Sequence, residues 1–402
     1  MTKYRYGRFR YSTRNRGSKK SINYAGGFDK ILLITVGILV MTGIVMVYSS
    51  SNAVARESLG TSYHFFKMQI IWCILGLAAM IFTAFFDYQN YAKFARFMLI
   101  FAGFLLVMVY VPFLGITRGG GTRWIKIWRL SFQPVEIAKL VIVIYMAELL
   151  DRKADYVRNY KLVIMPSLIM LFIFSVLLYG QPDFGSILII GFLVYTMLLV
   201  GGVRIHHMVL LSGIALLLIA LAIWQEPYRL VRWTTFLDPW KDKEGAGYHI
   251  IQSLYAFGSG GVLGRGLGAG IQKLHYLPTP HTDFIFAVIG EELGFVGAFS
   301  VVMGFMIITW RGIHISLSAP ERFGALLAFG ITILIGFQAM LNIAVATGSL
   351  PTKGLTLPFM SFGGSSMLVS MASTGILLNI SRPRNLGYAG TDSEMQGRSK
   401  AW

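Results

Sequence analysis

The sequence predicts an all-α, polytopic integral membrane protein with about ten transmembrane helices. The chain has 402 residues, of which 55% are hydrophobic and only 13% are charged. Its mean hydropathy of +0.62 is too high for a soluble domain of this length. Ten apolar windows are each near the length at which a helix, rising about 1.5 Å per residue, crosses a bilayer. The windows are 31–48, 68–86, 97–116, 134–150, 162–179, 185–203, 208–224, 284–309, 323–346 and 357–380.

The rest of the chain divides into a basic arm, one membrane domain and a polar tail. Basic and polar residues precede the first window, which argues against a cleavable signal peptide and predicts a permanent first helix. Most of the 36 Lys and Arg residues lie before that window, on every second connection after it, or in the tail. This bias predicts that both termini are cytoplasmic. The predicted parts are 1–28 (arm), 29–385 (membrane domain) and 386–402 (tail).

The longest connection, about 225–283, is predicted to be an extracytoplasmic loop between helices 7 and 8. It contains GSGGVLGRGLGAG and is far longer than two neighbouring helices require, and long loops often carry function. This loop and the one after the third window are basic, against the usual bias. Two explanations stay open: chance in a chain of net charge +18, or attraction of an anionic ligand such as phosphate. The basic residues concerned are Arg118, Arg123, Lys126, Arg129, Arg229, Arg232, Lys241, Lys243, Arg265 and Lys273.

Several kinds of site are absent from the sequence. No GxxxxGK[ST] motif supports an ATP site, and zincin, EF-hand and paired-cysteine spacings are missing. We therefore expect no cofactor or metal site built by the protein. The single cysteine, Cys73, excludes an intramolecular disulfide. Ser365 and Ser366 lie in SFGGSS without the GxSxG elbow of a nucleophilic serine, while Gly363 and Gly364 permit close approach of a helix or ligand.

Carboxylates in or beside the apolar windows are the main candidates for chemistry, because lipid disfavours them. Asp283 is the most informative, since it lies in LPTPHTDFIF, where the long loop meets the eighth window. One interpretation is that Thr282 or Asp283 caps a helix. The other is a general base whose partial burial raises its pKa toward the working pH. The acids of this group are Glu136, Glu148, Asp183, Asp283, Glu291 and Glu292.

The remaining acids favour structural interpretations. Glu291 and Glu292 are roughly 12 to 13 Å beyond Asp283 along a helix, too far to act on the same bond. We expect buried hydrogen bonds, or a salt bridge with Lys139, for one of them. Glu136 and Lys139 are three residues apart on one helix face and predict a compensating pair. The acid of QPDFG, at position 183, is predicted to cap a helix.

Longer motifs occur together and in a fixed order. They are GGTRWIKI and LSFQPVEIAKL, GQPDFGS, GYHIIQSLYAFGSGGVLGRGLG, QKLHYLPTPHTDFIFAVIGEELG, and GLTLPFMSFGGSS. Over about residues 30 to 385 they resemble the SEDS family, the FtsW, RodA and SpoVE proteins of bacterial wall synthesis. The chain departs from common family residues at Val135 and Thr279, neither of which is the candidate base. QKLHYLP is similar to the FtsW and SpoVE branches.

The resemblance implies a ten-helix peptidoglycan glycosyltransferase of the cytoplasmic membrane, which polymerises lipid II on the outer face during cell division. It implies that Asp283 is catalytic and that Trp124, Glu136 and Lys139 lie near the same cavity. It also implies a class B penicillin-binding protein, a transpeptidase, as partner together with other divisome proteins. We expect no nucleic-acid partner. Elongation and sporulation roles stay open as alternatives to division.

The expected reaction is a single inverting displacement. Asp283 removes a proton from the acceptor's sugar hydroxyl while the donor loses undecaprenyl diphosphate. Basic side chains neutralise the leaving diphosphate, and a divalent cation could assist through the diphosphate itself. A lipid II flippase and a non-catalytic scaffold remain alternatives. The residues expected to bind substrate are Arg118, Arg123, Trp124, Lys126, Glu136, Lys139, Arg229, Arg232, His281, Thr282, Lys353, Ser361, Gly363, Gly364 and Ser365.

Overall fold

The computed structural model describes residues 23–24, 27–118, 121–127, 130–157, 159–225, 227–245, 247–274, 276–382 and 384–385. Most of these residues are helical, which confirms the predicted fold class. The α-helices are α1 (Lys30–Leu59), α2 (His64–Phe85), α3 (Gln89–Met108), α4 (Pro134–Arg152), α5 (Met165–Tyr179), α6 (Phe184–Gly201), α7 (Ile205–Gln225), α8 (Pro227–Leu237), α9 (Tyr248–Gly260), α10 (Ile285–Glu292), α11 (Gly294–Ser318), α12 (Arg322–Ala346) and α13 (Gly364–Ser381). The strands are β1 (Asn23–Tyr24), β2 (Gly115–Arg118), β3 (Gly121–Ile127), β4 (Leu130–Phe132) and β5 (Arg384–Asn385).

Eight segments in the described residues are long and apolar enough to cross a membrane. They correspond to residues 30–52 of α1 and to α2, α3, α5, α6, α7, α11 and α12. The other two predicted spans correspond to α4 and α13, which are more polar and are buried along most of their length. Because neighbouring helices surround them, their polar side chains bond to protein rather than facing lipid.

Helix ends follow ordinary capping chemistry. Asp29 begins α1, and its carboxylate accepts a hydrogen bond from a backbone N–H of the first turn at 3.0 Å. Asp183 caps α6 in the same way, as predicted, and accepts the N–H of Ser186 at 3.2 Å. Gly60 and Gly202 end these two helices in the left-handed conformation, with φ of 68° and 97°.

The centre of the molecule is formed by α4, α12 and α13, with α2 packed closely along α13. Gly364 and Gly375 lie on this α2–α13 interface, where a side chain at 364 would strike the Trp72 ring and one at 375 would strike the backbone of Met80. Small residues therefore allow the two helices to pack at short range. This packing supports the polar segment that immediately precedes α13.

Three predicted windows differ from the observed helices, one of them 357–380, because α13 begins only at Gly364. The window 284–309 is broken at Gly294, where a φ of 67° interrupts the helix. As a result α10 is short, and α11 is the long helix. The window 97–116 is shifted, because α3 ends at Met108 and the chain then turns into β2. The long loop is also not irregular throughout, since it contains α8 and α9.

Two small antiparallel sheets complete the fold. Strands β2, β3 and β4 form one sheet between α3 and α4, and β1 pairs with β5. The β1–β5 pairing places the two ends of the membrane domain side by side. The proposed arm 1–28 and tail 386–402 lie largely outside the described residues, so these boundaries stay predictions.

Candidate functional site

Asp283 lies in the turn that leads into α10. The residue before α10 is Phe284, and no side chain caps that helix, so the capping interpretation of Thr282 and Asp283 is wrong. The Asp283 side chain is partly exposed, and its backbone carbonyl accepts a hydrogen bond from Nδ2 of Asn342 at 2.9 Å. No ion pair within the described residues neutralises the Asp283 carboxylate. It is therefore a candidate for chemistry rather than for helix capping.

A basic cleft lies beside Asp283. We use this name for the cavity of about 90 Å³ whose charged lining residues are Arg123, Asp183, Arg232 and Lys353 and whose wall includes Gly354. A Cβ atom placed on Gly354 would lie 3.3 Å from Oδ2 of Asp283. The carboxylate therefore borders the basic cleft across a residue that has no side chain.

Two cations of the basic cleft are held by backbone carbonyls from two segments, 181–182 and 352. Arg123 on β3 donates from Nε to the carbonyl of Gln181 at 3.0 Å and from Nη2 to that of Pro182 at 2.5 Å. Arg232 on α8 donates from Nη1 to the carbonyl of Thr352 at 3.2 Å. These bonds fix the positions of two guanidinium groups beside the cleft, and a guanidinium group is well suited to bind an anion.

Lys353 supplies the third cation of the basic cleft. Its Nζ lies 5.7 Å from the centroid of the Phe184 ring. Burial lowers the pKa of Lys353 to about 8, partly opposed by the negative charge of Asp183. At neutral pH the amine is mostly protonated, so the cleft offers three positive groups and one carboxylate, Asp183, which is already bonded to Ser186.

Burial also sets the electrostatics of the candidate base. It raises the pKa of Asp283 to about 6, while a hydrogen bond from Thr282 and the charges of Arg123 and Arg232 act in the opposite direction. Burial lowers the pKa of the neighbouring His281 to about 4, so this imidazole is neutral at pH 7. Asp283 is thus ionised at neutral pH yet close enough to its pKa to accept a proton, as a general base requires.

The segment before α13 is bonded directly to the turn that carries Asp283. Ser361 donates from Oγ to the carbonyl of Thr282 at 2.6 Å, and the N–H of Phe362 donates to the carbonyl of His281 at 2.8 Å. Ser365 accepts the N–H of Gln133 at 2.8 Å. Ser361 is therefore joined directly to Thr282, and Phe362 to His281, whereas Ser365 joins the same segment to the start of α4. Gly363 and Gly364 lie between the two serines.

Glu136 and Lys139 form the predicted compensating pair, with 2.8 Å between Nζ and Oε1 and with Lys139 only 1% exposed. Lys139 also donates to Oε1 of Gln338 at 2.7 Å, and Gln338 donates from Nε2 to the carbonyl of Thr356 at 3.2 Å. The pair thus supports the segment that carries Lys353. Neither residue lines the basic cleft, and direct substrate contact by them stays a prediction.

Other predicted residues are less closely grouped. Trp124 and Lys126 are on β3 beside Arg123, but neither lines the basic cleft, and the Lys126 side chain is exposed. The side chains of Arg118 and Arg229 lie outside the part of the chain that the structure describes. Their contribution to substrate binding stays a prediction.

Glu291 and Glu292 hold the glycine-rich segment 261–274 against α10. Glu291 accepts the N–H of Ile271 at 2.8 Å and lies 3.7 Å from Arg265. Glu292 is 2.6 Å from Nζ of Lys273 and accepts a hydrogen bond from Ser49 of α1. The expectation of buried hydrogen bonds is confirmed, whereas a salt bridge of either acid with Lys139 is wrong, because Lys139 pairs with Glu136.

A larger cavity, of about 660 Å³, opens between α1 and the glycine-rich segment. Its polar lining includes the buried Lys273 and the partly exposed Ser49, which are bonded to Glu292 and to each other. Asp283 and the three cations of the basic cleft do not line it. The smaller basic cleft is therefore the better candidate for a reaction.

Gln338 and Asn342 were not predicted as site residues from the sequence. They are four residues apart on α12, so both amides lie on one face of an otherwise apolar helix. That spacing was the available signal, because polar side chains inside a spanning helix need protein partners. Both amides bond to the segment between α12 and α13.

Comparison with known proteins identifies the family. Residues 29–386 match the family model for FtsW, RodA and SpoVE, described as cell cycle protein. The chain belongs to this family. The FtsW/RodA/SpoVE match covers the whole membrane domain, including the turn of Asp283 and every residue of the basic cleft, so the site lies within the part of the chain that defines the family.

Two curated members of the FtsW/RodA/SpoVE family show the level of similarity. A probable peptidoglycan glycosyltransferase FtsW of Geobacter sp. (strain M18) is 40% identical over 355 residues, which cover 88% of this chain and 97% of the relative. Stage V sporulation protein E of Bacillus subtilis (strain 168) is 39% identical over 354 residues, with the same two coverages.

Solved structures of the family have the same fold. A chain from a peptidoglycan synthase complex, described as coordinating polymerization and crosslinking, matches with a TM-score of 0.73 at 28% identity, covering 88% of this chain and 97% of that one. The rod shape determining protein RodA of Thermus thermophilus matches with a TM-score of 0.65 at 26% identity, covering 88% and 96%. The chain is therefore an integral membrane protein with the RodA-like fold.

Proposed function

We propose that this chain, an FtsW-like peptidoglycan glycosyltransferase, polymerises lipid II into glycan strands at the basic cleft, with Asp283 as the general base. The glycosyltransferase activity is supported by the names of the curated relatives. The assignment of the base rests on one observation. Asp283 is a carboxylate without an ion-pair partner among the described residues, and it borders a cleft that contains three cations.

The geometry suits an inverting displacement. Asp283 accepts the proton of the acceptor's sugar 4-hydroxyl while that oxygen bonds to the anomeric carbon of the donor. The bond from the anomeric carbon to the diphosphate oxygen breaks, and undecaprenyl diphosphate leaves with the electron pair. Arg123, Arg232 and Lys353 then neutralise the negative charge that develops on the leaving group. One base is sufficient, and no carboxylate nucleophile is needed.

Other predicted residues are part of this proposal. Lys126 and Trp124 lie on β3, the strand that carries Arg123, and we propose that Arg118 and Arg229 add positive charge for substrate binding. Glu136 and Lys139 act from behind the segment 351–357. A divalent cation bound to the substrate diphosphate would add to the same neutralisation.

We further propose that the basic cleft faces the outer side of the cytoplasmic membrane and that both termini are cytoplasmic. The Lys and Arg bias of the connections supports this orientation. The partners proposed are a class B penicillin-binding protein and other divisome proteins, with a role in cell division. The similarity to a chain of a peptidoglycan synthase complex, and the FtsW names of several relatives, support these partners and this role.

The test is glycan formation from purified lipid II by the reconstituted protein, with and without a class B penicillin-binding protein. We expect Asp283→Asn to lower the rate by roughly 10² to 10⁴-fold, the usual contribution of general base catalysis. Asp238→Asn is the matched control, because Asp238 is a partly exposed aspartate that pairs with Lys241 at 3.3 Å. Its rate should equal that of the wild type.

Full activity in Asp283→Asn would reject Asp283 as the base. Two further outcomes would support other functions. Labelled lipid II that crosses proteoliposomes without forming polymer would indicate a flippase. Wild-type protein that recruits the transpeptidase but neither polymerises nor transports lipid II would indicate a scaffold.

A further inference from the structure

Asn342 connects the candidate base to the segment that carries a cation of the basic cleft. Its Nδ2 donates to the carbonyl of Asp283 at 2.9 Å and to the carbonyl of Leu355 at 2.5 Å. Only 1% of Asn342 is exposed. One buried amide nitrogen therefore joins two turns that are far apart in the sequence, and both of its hydrogens are used.

The two turns also lie side by side at Gly354, where a Cβ atom would be 3.3 Å from Oδ2 of Asp283. Leu355 follows Gly354, the residue whose missing side chain leaves room for the Asp283 carboxylate, and Lys353 precedes Gly354. A shift of the Leu355 carbonyl would therefore change the spacing between the base and the Lys353 ammonium. Asn342 lies at the point where that spacing is fixed.

A second amide on α12 reinforces the arrangement. Gln338 lies one turn before Asn342 and donates to the carbonyl of Thr356 at 3.2 Å. Lys139 donates to the oxygen of this amide, which forces its nitrogen to face Thr356. The buried Glu136–Lys139 pair thereby fixes the orientation of Gln338, and the two amides hold successive carbonyls of one segment.

We infer that Asn342 is a positioning residue for the transfer reaction: it holds the backbone of Asp283 and the Lys353–Leu355 segment in one fixed geometry. The inference rests on the proposed function. Asn342 does not line the basic cleft, so it acts through Asp283 and Lys353 rather than on the substrate. A displacement of about 1 Å in such a site can cost on the order of 10²-fold in rate.

The chain contains a matched control in Asn379 of α13. It is also fully buried, and it also bonds to two backbone groups: Nδ2 donates to the carbonyl of Ala84 at 2.8 Å, and Oδ1 accepts the N–H of Tyr88 at 3.1 Å. Asn379 lies roughly 22 Å along α13 from Gly364, at the end remote from the Asp283 turn. Replacing Asn379 removes a similar number of buried hydrogen bonds, but none of them involves the Asp283 turn or the 353–355 segment.

The experiment compares Asn342→Ala, the shape-conserving Asn342→Leu, and Asn379→Ala in the full-length protein. Hydrogen–deuterium exchange is measured in peptides that cover 283–288, 351–357 and 84–91. We expect the Asn342 variants to exchange faster in the first two peptides only and Asn379→Ala in the third only. Unchanged exchange at 283–288 and 351–357 in both Asn342 variants would overturn the inference.

Polymerisation of lipid II is then measured against pH with the same variants. We expect kcat to fall on the order of 10²-fold in the Asn342 variants and to stay near wild type in Asn379→Ala. The pH at which the rate falls on the acid side of the profile should also move below 6. A displaced Asp283 is more exposed to solvent, so its pKa falls toward 3.8. If hydrogen–deuterium exchange is faster in the Asn342 variants but the polymerisation rate and its pH profile are unchanged, Asn342 has only a structural role and the inference is overturned.

The exchange measurement separates this inference from the proposed function. If wild-type protein makes no glycan, the proposed function fails and the catalytic part of the inference fails with it. The connection between the two turns is still decided by exchange alone.

Discussion

Asp283 and the pair Glu291 and Glu292 are carboxylates within ten residues of one another, yet the structure treats them differently. Both glutamates are completely buried, and each bonds to backbone or side-chain donors and a cation of the segment 261–274. Asp283 is less buried but has no ion-pair partner among the described residues, and it borders the basic cleft. A buried acid is therefore not a functional signal by itself. The signal is incomplete neutralisation beside a cavity.

The largest effect that tests this contrast is on stability at Glu292. We expect Glu292→Gln to lower the free energy of unfolding by about 3–5 kcal/mol, because it leaves Lys273 as a buried cation with its ion pair broken. Denaturant or thermal unfolding in detergent measures the loss. Activity per folded molecule should remain close to wild type, since Glu292 only positions the glycine-rich segment.

A double replacement controls this prediction. Glu292→Leu with Lys273→Met removes both charges together and should recover much of the stability, because no buried charge is left alone. If Glu292→Gln were as stable as wild type but inactive, the structural assignment of the pair would be wrong and the contrast with Asp283 would disappear.

Replacing Asp283 is expected to raise the free energy of unfolding, whereas replacing Glu292 lowers it. The pKa of Asp283 rises from 3.8 to about 6 on folding, so the native state binds the proton more tightly and stability falls as pH rises from about 4 through 6. Above pH 6 the buried charge costs about 3 kcal/mol, at 1.36 kcal/mol per pKa unit. Asp283→Asn should therefore be more stable than wild type at pH 7.5, with the difference closing toward pH 4. Unfolding measured at both pH values tests this, and a less stable variant at pH 7.5 would contradict it.

The same contrast shows what the sequence could predict. Apolar windows located most spans, because membrane-crossing length is a property of the chain alone. The break at Gly294 was missed because a glycine inside an apolar run does not reveal its φ. The partners of Glu291 and Glu292 were also missed, since they come from a loop about twenty residues earlier whose path is set by tertiary packing.

The candidate site divides in the same way. Asp283, Arg123 and Lys353 were identified from their position beside apolar windows and from family resemblance, and the structure groups them. Asn342 was not identified, because a single amide in an apolar helix gives no indication of which carbonyls it will meet. Its two partners, at 283 and 355, are 72 residues apart in the sequence and are brought together by tertiary packing.

A smaller effect is expected on the pH dependence of the reaction. The wild-type rate should fall below about pH 6, where Asp283 becomes protonated and can no longer accept a proton. Arg123→Gln removes a positive charge that lowers the Asp283 pKa, so this acid limb should move upward, by less than roughly one pH unit. Arg265→Gln is the control, because Arg265 pairs with Glu291 instead. A limb that moves equally in both variants would show that general charge, not the basic cleft, sets the profile.

The smallest effect concerns the space between Asp283 and the basic cleft. Gly354→Ala places a methyl group 3.3 Å from Oδ2 of Asp283, a tight contact that the carboxylate can relieve by rotating. We expect a cost of about 1 kcal/mol in the activation barrier, a rate lower by roughly fivefold, with little change in stability. Gly185→Ala is the control in the same cleft, since its new methyl group would meet Leu355 at an ordinary 3.5 Å. Equal rates for the two variants would mean that the reacting groups do not pass between Gly354 and Asp283, and the acceptor would then have to approach the base from another side.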